Sequence, residues 1–336
     1  MTWVAQTADI EPGGCRADGS AHGEERVKFA GTCAACLVTV TSVIYEHPLA
    51  YVLGVEGLAL LRSYRGEHDR EFVDARLTEI RKLLDDDTLA TAAVEVARVE
   101  TVEGYEIWSK TYDDPNSAFD IDEPIVHGIV DALPAGVALD AACGTGRLAA
   151  HLAGRGHRIL GVDSSPDMLE RARARVPQGD FRLGDLSRLP IPDDAVDLVV
   201  CSLALTHVAD LGPALAEFAR VLRPGGHVVT SDIHPEGVAR GVVPSVRLAG
   251  GRPGRVATYH HLIGDYIRAA LAAGLQVRRC EEPRHPRADT AVPAAAETLG
   301  PWDLWPWCLD DLVPEAARAI LAGTPTMVIW HFQLSG

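Results

Sequence analysis

Short apolar segments alternate with amphipathic segments from Pro124 onward, as strands and helices do in a parallel sheet. The predicted strands are Val137–Ala141, Arg158–Asp163, Asp180–Leu183, Val196–Cys201, His227–Asp232, Leu275–Glu281 and Met327–Gln333. Amphipathic segments such as Pro166–Val176 and Leu211–Leu222 predict the connecting helices. We therefore expect an α/β fold in which helices cover both faces of a seven-stranded sheet.

The chain before this region follows a different pattern. Residues 1–45 are rich in Gly, Ala, Ser and Thr without a steady period, which predicts a disordered tail. Residues 46–104 place apolar side chains at three- and four-residue steps, most clearly in Asp69–Leu84, and predict a helical extension. Residues 105–336 form the predicted α/β domain.

Charge narrows the range of partners. The 336 residues include 31 Lys and Arg against 47 Asp and Glu, a formal net charge of −16. Because an acidic surface repels phosphate backbones, we expect no nucleic-acid partner and favour a small-molecule substrate. The apolar run from Ala34 to Tyr45 is shorter than the ~20 residues of a membrane span, so we also expect no membrane association.

The cysteines predict a reducing compartment. Their number, seven, is odd, and only Cys33 and Cys36 lie close together. That pair has redox or zinc spacing but lacks a second ligand pair, so we interpret it as coincidental. Together with the absence of a basic segment before Ala34, this pattern favours the cytoplasm.

A glycine-rich loop follows the first strand of the domain. Gly144 and Gly146 have no Cβ, so a ligand can approach the backbone closely, and the helix that follows offers unpaired N–H groups. The spacing Gly144-x-Gly146-x-x-Ala149 also satisfies the dinucleotide-binding fingerprint. Asp140 either orders the turn or contacts the ligand. In the second case its carboxylate would repel a pyrophosphate and favours a ligand with an ammonium group.

Two further acids end the next two strands. Asp163 is placed to accept both hydroxyls of a ribose, which occurs in NAD and in S-adenosylmethionine alike. Asp185 could accept a hydrogen bond from the amine of an adenine, and Leu186 would then lie beside the adenine ring. Met168 would lie either on the other side of that ring or in the apolar core. Asp163 by itself therefore does not discriminate between the two cofactors.

The whole motif set resembles the class I S-adenosylmethionine-dependent methyltransferases. The matching segments are Leu139–Gly146, Gly161–Leu169, Gly184–Leu186, Asp197–Val208 and Leu222–Gly226. Five motifs occur in the family's order and spacing, over about residues 105–336. The resemblance implies a Rossmann-like seven-stranded sheet, a methyltransferase activity and S-adenosyl-L-methionine as cofactor.

The resemblance also implies roles for individual residues. Asp140, Gly144 and Gly146 would hold the methionine part of the cofactor, and Asp163 would bind its ribose. Met168, Asp185 and Leu186 would contact the adenine. Ser202 and Leu203 would form the floor near the sulfonium, and Tyr112 would be the aromatic that closes over the cofactor.

Histidines at two strand ends are candidate bases. His207 follows the fourth strand and, as a neutral imidazole, could accept a proton from the acceptor, or it could simply pack. Asp232 and His234 end the fifth strand on the same side of the sheet. The pair His260-His261 has no further ligand at helical spacing, so we expect no metal site.

The acceptor is the least constrained part of the prediction. Trp302, Trp305 and Trp307 either line an apolar pocket or plug the end of the sheet. We expect a small, partly apolar metabolite, methylated on O, N or C. An NAD-dependent oxidoreductase and a non-catalytic S-adenosylmethionine-binding protein remain alternatives, and the sequence leaves the oligomeric state open.

Overall fold

The computed structural model describes residues 43–114, 117–285 and 292–336. The strands in these ranges are β1 Val43–Glu46, β2 Val94–Val99, β3 Val137–Ala141, β4 Arg158–Asp163, β5 Asp180–Leu183, β6 Val196–Ser202, β7 Leu222–Ile233, β8 Ser245–Arg247, β9 Pro253–Val256, β10 Leu275–Glu281 and β11 Met327–Leu334. The α-helices there are α1 Pro48–Ser63, α2 Arg70–Leu84, α3 Asp87–Thr91, α4 Thr101–Trp108, α5 Ser117–Val130, α6 Arg147–Gly154, α7 Pro166–Arg175, α8 Leu211–Val221, α9 Pro235–Ala239, α10 Ile263–Ala272, α11 Trp307–Asp310 and α12 Pro314–Leu321. None of these helices has the length and apolar composition that a membrane crossing requires.

The large sheet determines where the predicted ligand-binding side chains lie. Its strand order is β5-β4-β3-β6-β7-β11-β10. Strands β3 to β7 are parallel, whereas β11 is antiparallel to both of its neighbours. The carboxyl ends of β3 to β7 therefore meet at one edge, where ligands bind in open α/β sheets. The predicted α/β fold with a seven-stranded sheet is confirmed.

Alternate side chains of the central strands enter two different apolar clusters. Leu139, Leu160 and Val199 belong to one cluster, together with side chains of α8 and α10. Ala138 and Leu198 belong to the other, together with side chains of α5, α6 and α7. Each face of the sheet is thus covered by helices, which is why its central strands are apolar at most positions.

The strand bounds agree closely with the prediction. Strands β3, β4, β5 and β10 have the predicted bounds, and β6 and β11 each extend one residue farther. Strand β7 differs most, because it begins at Leu222 instead of His227. Gly225 in this first part has a φ of +79°, and the pairing with β6 shifts register opposite it. The motif segment Leu222–Gly226 is therefore an irregular beginning of the strand.

A second sheet, in the order β1-β2-β9-β8, is absent from the prediction. Strand β1 crosses the predicted boundary at residues 45/46 between a tail and a helical extension, and residues 1–42 lie outside the described residues. The predicted extension also contains β2, so it is not helical throughout. The four strands of this sheet have only three to six residues each, which is too short for a clear alternation of apolar and polar positions. In addition, β2 pairs with β9, which lies far away in the sequence, so no local pattern indicates the pairing.

A largely buried ion pair joins the small sheet to the tryptophan-rich segment. Arg255 on β9 donates from Nε and Nη2 to the Glu46 carboxylate, at 2.7 and 3.1 Å. Its Nη1 donates to the carbonyl oxygens of Val243 and Trp305, each at 3.0 Å. The indole N–H of Trp302 donates to the same carboxylate at 2.9 Å. Loss of either charge therefore leaves buried partners without hydrogen bonds.

Replacement of Arg255 by Met should lower the free energy of unfolding by about 3 kcal/mol, because Glu46 would remain with no counter-ion. Urea unfolding at neutral pH measures the change. The control is Arg268→Ala, whose exposed pair with Asp265 should contribute less than about 1 kcal/mol. Equal effects of the two substitutions would contradict the role of the buried pair.

Candidate functional site

The loop after β3 has the backbone conformation that its glycines predict. Gly144 and Gly146 have φ angles of +51° and +79°, which favour glycine. A Cβ on Gly146 would lie 3.1 Å from Cα of Ala172, so a side chain there would force α7 away from the loop. Asp140 Oδ2 accepts the N–H of Ala149 at 2.9 Å and thereby fixes the end of β3 to the first turn of α6.

Asp163 joins the end of β4 to this loop. Its Oδ2 accepts the N–H of Gly144 and its Oδ1 accepts the N–H of Ser165, each at 2.8 Å. An ionised carboxylate has about four acceptor sites, so capacity remains for a ligand. Burial raises the pKa of Asp163, and a ligand that donates to the carboxylate would oppose this effect.

A cavity of about 420 Å³ lies at the carboxyl ends of β3, β4, β5 and β6. The predicted cofactor-binding residues that line it are Tyr112, Gly144, Asp163, Asp185, Leu186, Ser202 and Leu203. Asp185 is exposed, and its Oδ1 accepts the N–H of Ser187 at 2.7 Å. The structure thus brings residues from four strand ends together around a volume suited to a small ligand.

A narrower cavity adjoins the large one and is lined by buried acids. The two cavities share Tyr112, Gly144 and Ser202, and the narrow cavity also contains Asp140 and Asp122. Burial raises the pKa of Asp140 to about 7, although its bond with the backbone opposes the rise. A cationic ligand would favour the ionised form of both acids.

Asp122, on α5, is the buried carboxylate that the sequence motifs do not include. Its Oδ2 accepts the hydroxyl groups of Ser202 at 2.5 Å and Ser231 at 2.9 Å. Its Oδ1 is buried without a hydrogen-bond partner, and burial raises its pKa. A buried acceptor with no donor is costly, so this oxygen fits a ligand that brings a donor. Helix α5 precedes the first motif, and its sequence has no feature that marks Asp122.

His207 lies in the wall of the large cavity, but its ring nitrogens are both engaged. Its Nδ1 lies 2.7 Å from the carbonyl oxygen of Ala257, which can only accept, so Nδ1 carries the proton. Its Nε2 then accepts the phenolic O–H of Tyr105 at 3.0 Å. Burial lowers the pKa of His207, which keeps the ring neutral. Tyr105 also lines the cavity and is a second polar group that the sequence prediction missed.

Met168 does not occupy its predicted place beside the adenine. Its side chain is fully buried and does not line either cavity. The reason is the start of α7, where Ser165 Oγ accepts the N–H of Met168 at 3.3 Å and the apolar face turns inward. The core position that the sequence left open for this methionine is the one observed.

Asp232 and His234 also lie away from both cavities. Asp232 is buried and its Oδ1 accepts the hydroxyl of Thr206 at 2.9 Å, which fixes the 3-10 turn Leu205–His207. His234 begins α9, where its Nδ1 accepts the N–H of Glu236 at 3.2 Å. Its Nε2 therefore carries the proton and donates to Glu282 at 3.0 Å. Both side chains therefore hold local structure outside the two cavities, and their part in catalysis stays a prediction.

The tryptophans do not form the wall of a ligand pocket. Trp302 and Trp305 are buried in an apolar cluster with side chains of α1 and α12, and Trp307 is half exposed. None of the three lines either cavity. Of the two alternatives for these tryptophans, a pocket wall or an apolar plug, the packing of Trp302 and Trp305 agrees with the plug. In the ranges described, no three His, Cys, Asp or Glu side chains are grouped so that they could hold a metal ion.

A family model described as a methyltransferase domain matches residues 139–230. A malonyl-[acyl-carrier protein] O-methyltransferase of Yersinia pestis is 42% identical over 97 residues, which are 29% of this chain and 36% of that protein. A protein of Mycolicibacterium smegmatis described as a probable S-adenosylmethionine-dependent methyltransferase is 40% identical over 93 residues, 28% of this chain and 37% of the other. The chain thus spans little more than a third of the length of these curated relatives.

Solved structures are similar over a longer part of the chain. The S-adenosylmethionine-dependent methyltransferase from Mesorhizobium loti is 24% identical, with a TM-score of 0.44. The similarity covers 62% of this chain and 96% of that one.

Substitution of His234 by Ala should destabilise the fold by about 1 kcal/mol, because it removes the N-cap of α9 and the partner of Glu282. Thermal unfolding and titration with S-adenosylmethionine separate stability from ligand binding, and the affinity should stay unchanged. The exposed His260→Ala is the control and should alter neither. A selective loss of ligand affinity in His234→Ala would restore His234 to the site.

Proposed function

We propose that this chain, which belongs to the class I S-adenosylmethionine-dependent methyltransferases, transfers the methyl group of S-adenosylmethionine to a small, partly apolar acceptor. One observation carries the proposal: Asp140, Asp163 and Asp185, at three successive strand ends, converge with a glycine loop on two adjoining cavities. The cofactor has a polar group for each acid, namely an amino group, a ribose and an adenine amine.

Asp163 supports the assignment of the ribose end. Its carboxylate is held rigidly by the N–H groups of Gly144 and Ser165, so its free lone pairs are already oriented. The two ribose hydroxyls would donate to these lone pairs. Asp185 and Leu186 follow on the next strand, where they would contact the adenine amine and ring, respectively.

The narrow cavity suits the amino end of the methionine part. Asp122 Oδ1 has no donor, and burial raises the pKa of Asp140 to about 7, so this acid is partly protonated at neutral pH. An ammonium group would donate to the unpaired oxygen and favour ionisation of both acids. Arg147, the cation beside them, is ion-paired with Glu123 and lies over the ring of Phe119. It lowers the pKa of both acids, but burial outweighs its effect.

Ser202, Leu203 and Tyr112 would surround the reacting end of the cofactor. When bound, the cofactor supplies a methyl group on a positively charged sulfur that already activates it for transfer. Leu203 has a φ of +57°, and its N–H donates to the carbonyl oxygen of Ser231 at 2.7 Å, so the backbone turns sharply here. The role of these residues is alignment, which is the main requirement of an in-line displacement.

The buried acids weigh against a nicotinamide dinucleotide. A pyrophosphate at the glycine loop would lie close to Asp140 and Asp122, and like charges in a buried site repel strongly. Titration with S-adenosylmethionine and with NAD tests this preference. Tighter binding of NAD would overturn the proposed function.

Replacement of Asp163 by Ala should weaken S-adenosylmethionine binding by roughly tenfold or more, because it removes charge-assisted hydrogen bonds to the ribose. Isothermal titration measures the affinity, and thermal unfolding shows whether the variant remains folded. Asp180→Ala is a matched control, since Asp180 begins β5 at the opposite edge of the sheet. Unchanged affinity in a folded Asp163→Ala protein would contradict the ribose assignment.

Cofactor binding should also release protons at mildly acidic pH. The pKa of Asp140 is about 7 in the free protein, so at pH 6 this group is mostly protonated, and binding of a cation would ionise it. Affinity should therefore fall as the pH is lowered from 7.5 to about 5.5.

Calorimetry at pH 6 in two buffers of different ionisation enthalpy counts the released protons. Asp140→Asn should remove most of the release and flatten the pH dependence. Undiminished release in this variant would show that another group titrates.

A further inference from the structure

We propose that Tyr105 accepts the proton of the methyl acceptor and passes its own phenolic proton to His207, so that the acceptor is a neutral hydroxyl or amine compound. This inference rests on the proposed function and adds to it the chemistry of the acceptor. Tyr105 would be the catalytic residue, because it would touch the acceptor. His207 would act through Tyr105 and is a positioning residue.

The hydrogen bonds fix the direction of this relay. The carbonyl oxygen of Ala257 holds the proton of His207 on Nδ1, so Nε2 presents a lone pair. Tyr105 is the donor to that lone pair at 3.0 Å. Its phenolic oxygen therefore keeps lone pairs that can accept a proton from a molecule in the cavity.

The packing of α4 places the phenol firmly. A Cβ on Gly104 would lie 2.6 Å from Val256 Cγ2, so glycine at this position allows α4 to pack directly on β9. The ring of Tyr105 meets those of Trp108 and His207 edge to face, with centroids 5.5 and 5.4 Å away. Its hydroxyl also lies 3.5 Å from the carbonyl oxygen of Leu203, beside the predicted methyl position.

The charge of the cavity points to a neutral acceptor. Among the described residues, its lining includes Asp163, Asp185 and Asp210 but no Lys or Arg. A carboxylate acceptor would find no basic side chain in this lining to pair with, which is unfavourable in a partly buried site. A carboxylate also carries no proton to remove, so the Tyr105–His207 pair would have no task.

The transfer balances without another reactant. The acceptor atom forms a bond to the methyl carbon, and the sulfur keeps the electron pair of the broken C–S bond. The acceptor's proton moves to the oxygen of Tyr105 as the phenolic proton moves to Nε2 of His207. One positive charge leaves the sulfur and one appears on the imidazole, so the net charge of the site is unchanged.

The surroundings of the pair set its pH dependence. The titratable groups that act on Tyr105 are Tyr112, Asp163, Asp232 and Cys201, and burial raises the pKa of the phenol well above its usual value. Burial lowers the pKa of His207. His207 is therefore the ready base at neutral pH, and kcat at saturating S-adenosylmethionine should fall only at a pH below the usual histidine range, where the ring becomes protonated.

The first experiment is independent of turnover. In protein with 15N-labelled histidine, the nitrogen spectrum should show His207 as the neutral tautomer with the proton on Nδ1. Tyr105→Phe should shift the Nε2 resonance, and Tyr259→Phe, outside the cavity, should not. A proton on Nε2, or no shift in Tyr105→Phe, would overturn the relay.

The second experiment identifies the class of acceptor. The protein is incubated with methyl-labelled S-adenosylmethionine and a panel of small phenols, amines and carboxylic acids, and the products are treated with mild base. Ethers and methylamines keep their label, whereas methyl esters release it as methanol. Base-stable label supports the proposal, and release of the label as methanol overturns it.

Variants then connect the pair to the reaction. Tyr105→Phe should lower kcat by roughly 10²-fold while the affinity for S-adenosylmethionine is retained. His207→Gln should also lower kcat and should abolish its decline at low pH. Normal turnover in Tyr105→Phe would overturn the relay alone, whereas failure of the wild-type protein to bind S-adenosylmethionine would overturn the proposed function.

Discussion

The concentration of carboxylates at one edge of the large sheet is the constraint on which the site depends. Asp140, Asp163 and Asp122 are largely withdrawn from water, and burial raises the pKa of each. Such a cluster is unfavourable in an empty protein, since each acid must either keep its proton or bear a desolvated charge. It becomes favourable when a ligand brings a cation and hydroxyl donors. The fold tolerates the cost because the hydrogen bonds of Asp140 and Asp163 also hold the glycine loop in place.

The remainder of the fold supports this edge from two directions. The two apolar clusters on the faces of the large sheet fix the strand ends and their loops. The small sheet and α4 approach from the other side, where Gly104 packs against Val256 and Tyr105 reaches His207. Asp232 belongs to the same framework, because its bond with Thr206 holds the turn that carries His207. Asp232 therefore has a structural contact of its own, whether or not it takes part in catalysis.

The sequence predicts the large sheet well because its signals are local. Each strand is a short apolar run, and each cofactor motif directly follows a strand, so pattern and position agree. The small sheet gives no such signal, since β2 finds its partner in β9 more than 150 residues later. Tyr105 and Asp122 were missed for the same reason. They reach the site only through tertiary packing, and neither belongs to a motif. His234 and Met168 show the opposite case, in which a suitable residue type near a motif is used for a helix cap or for packing.

In the proposed reaction, the cofactor is held mainly by residues in sequence motifs, whereas the acceptor side also depends on residues that reach the cavity through tertiary packing. The matched methyltransferase domain, residues 139–230, contains β3 to β6 and most of β7, and with them the acids assigned to the cofactor. Tyr105, Asp122 and Ala257 all lie outside it. The acceptor side of the cavity thus combines His207, inside the matched residues, with Tyr105 and Ala257 from parts of the chain that the family match does not cover. The match to the Yersinia pestis relative covers only 36% of that protein. The substrate in its name therefore says little about the acceptor of this chain. The cavity itself is the more direct guide to that acceptor. Its described lining residues include three acids and no lysine or arginine, and its Tyr105–His207 pair is neutral.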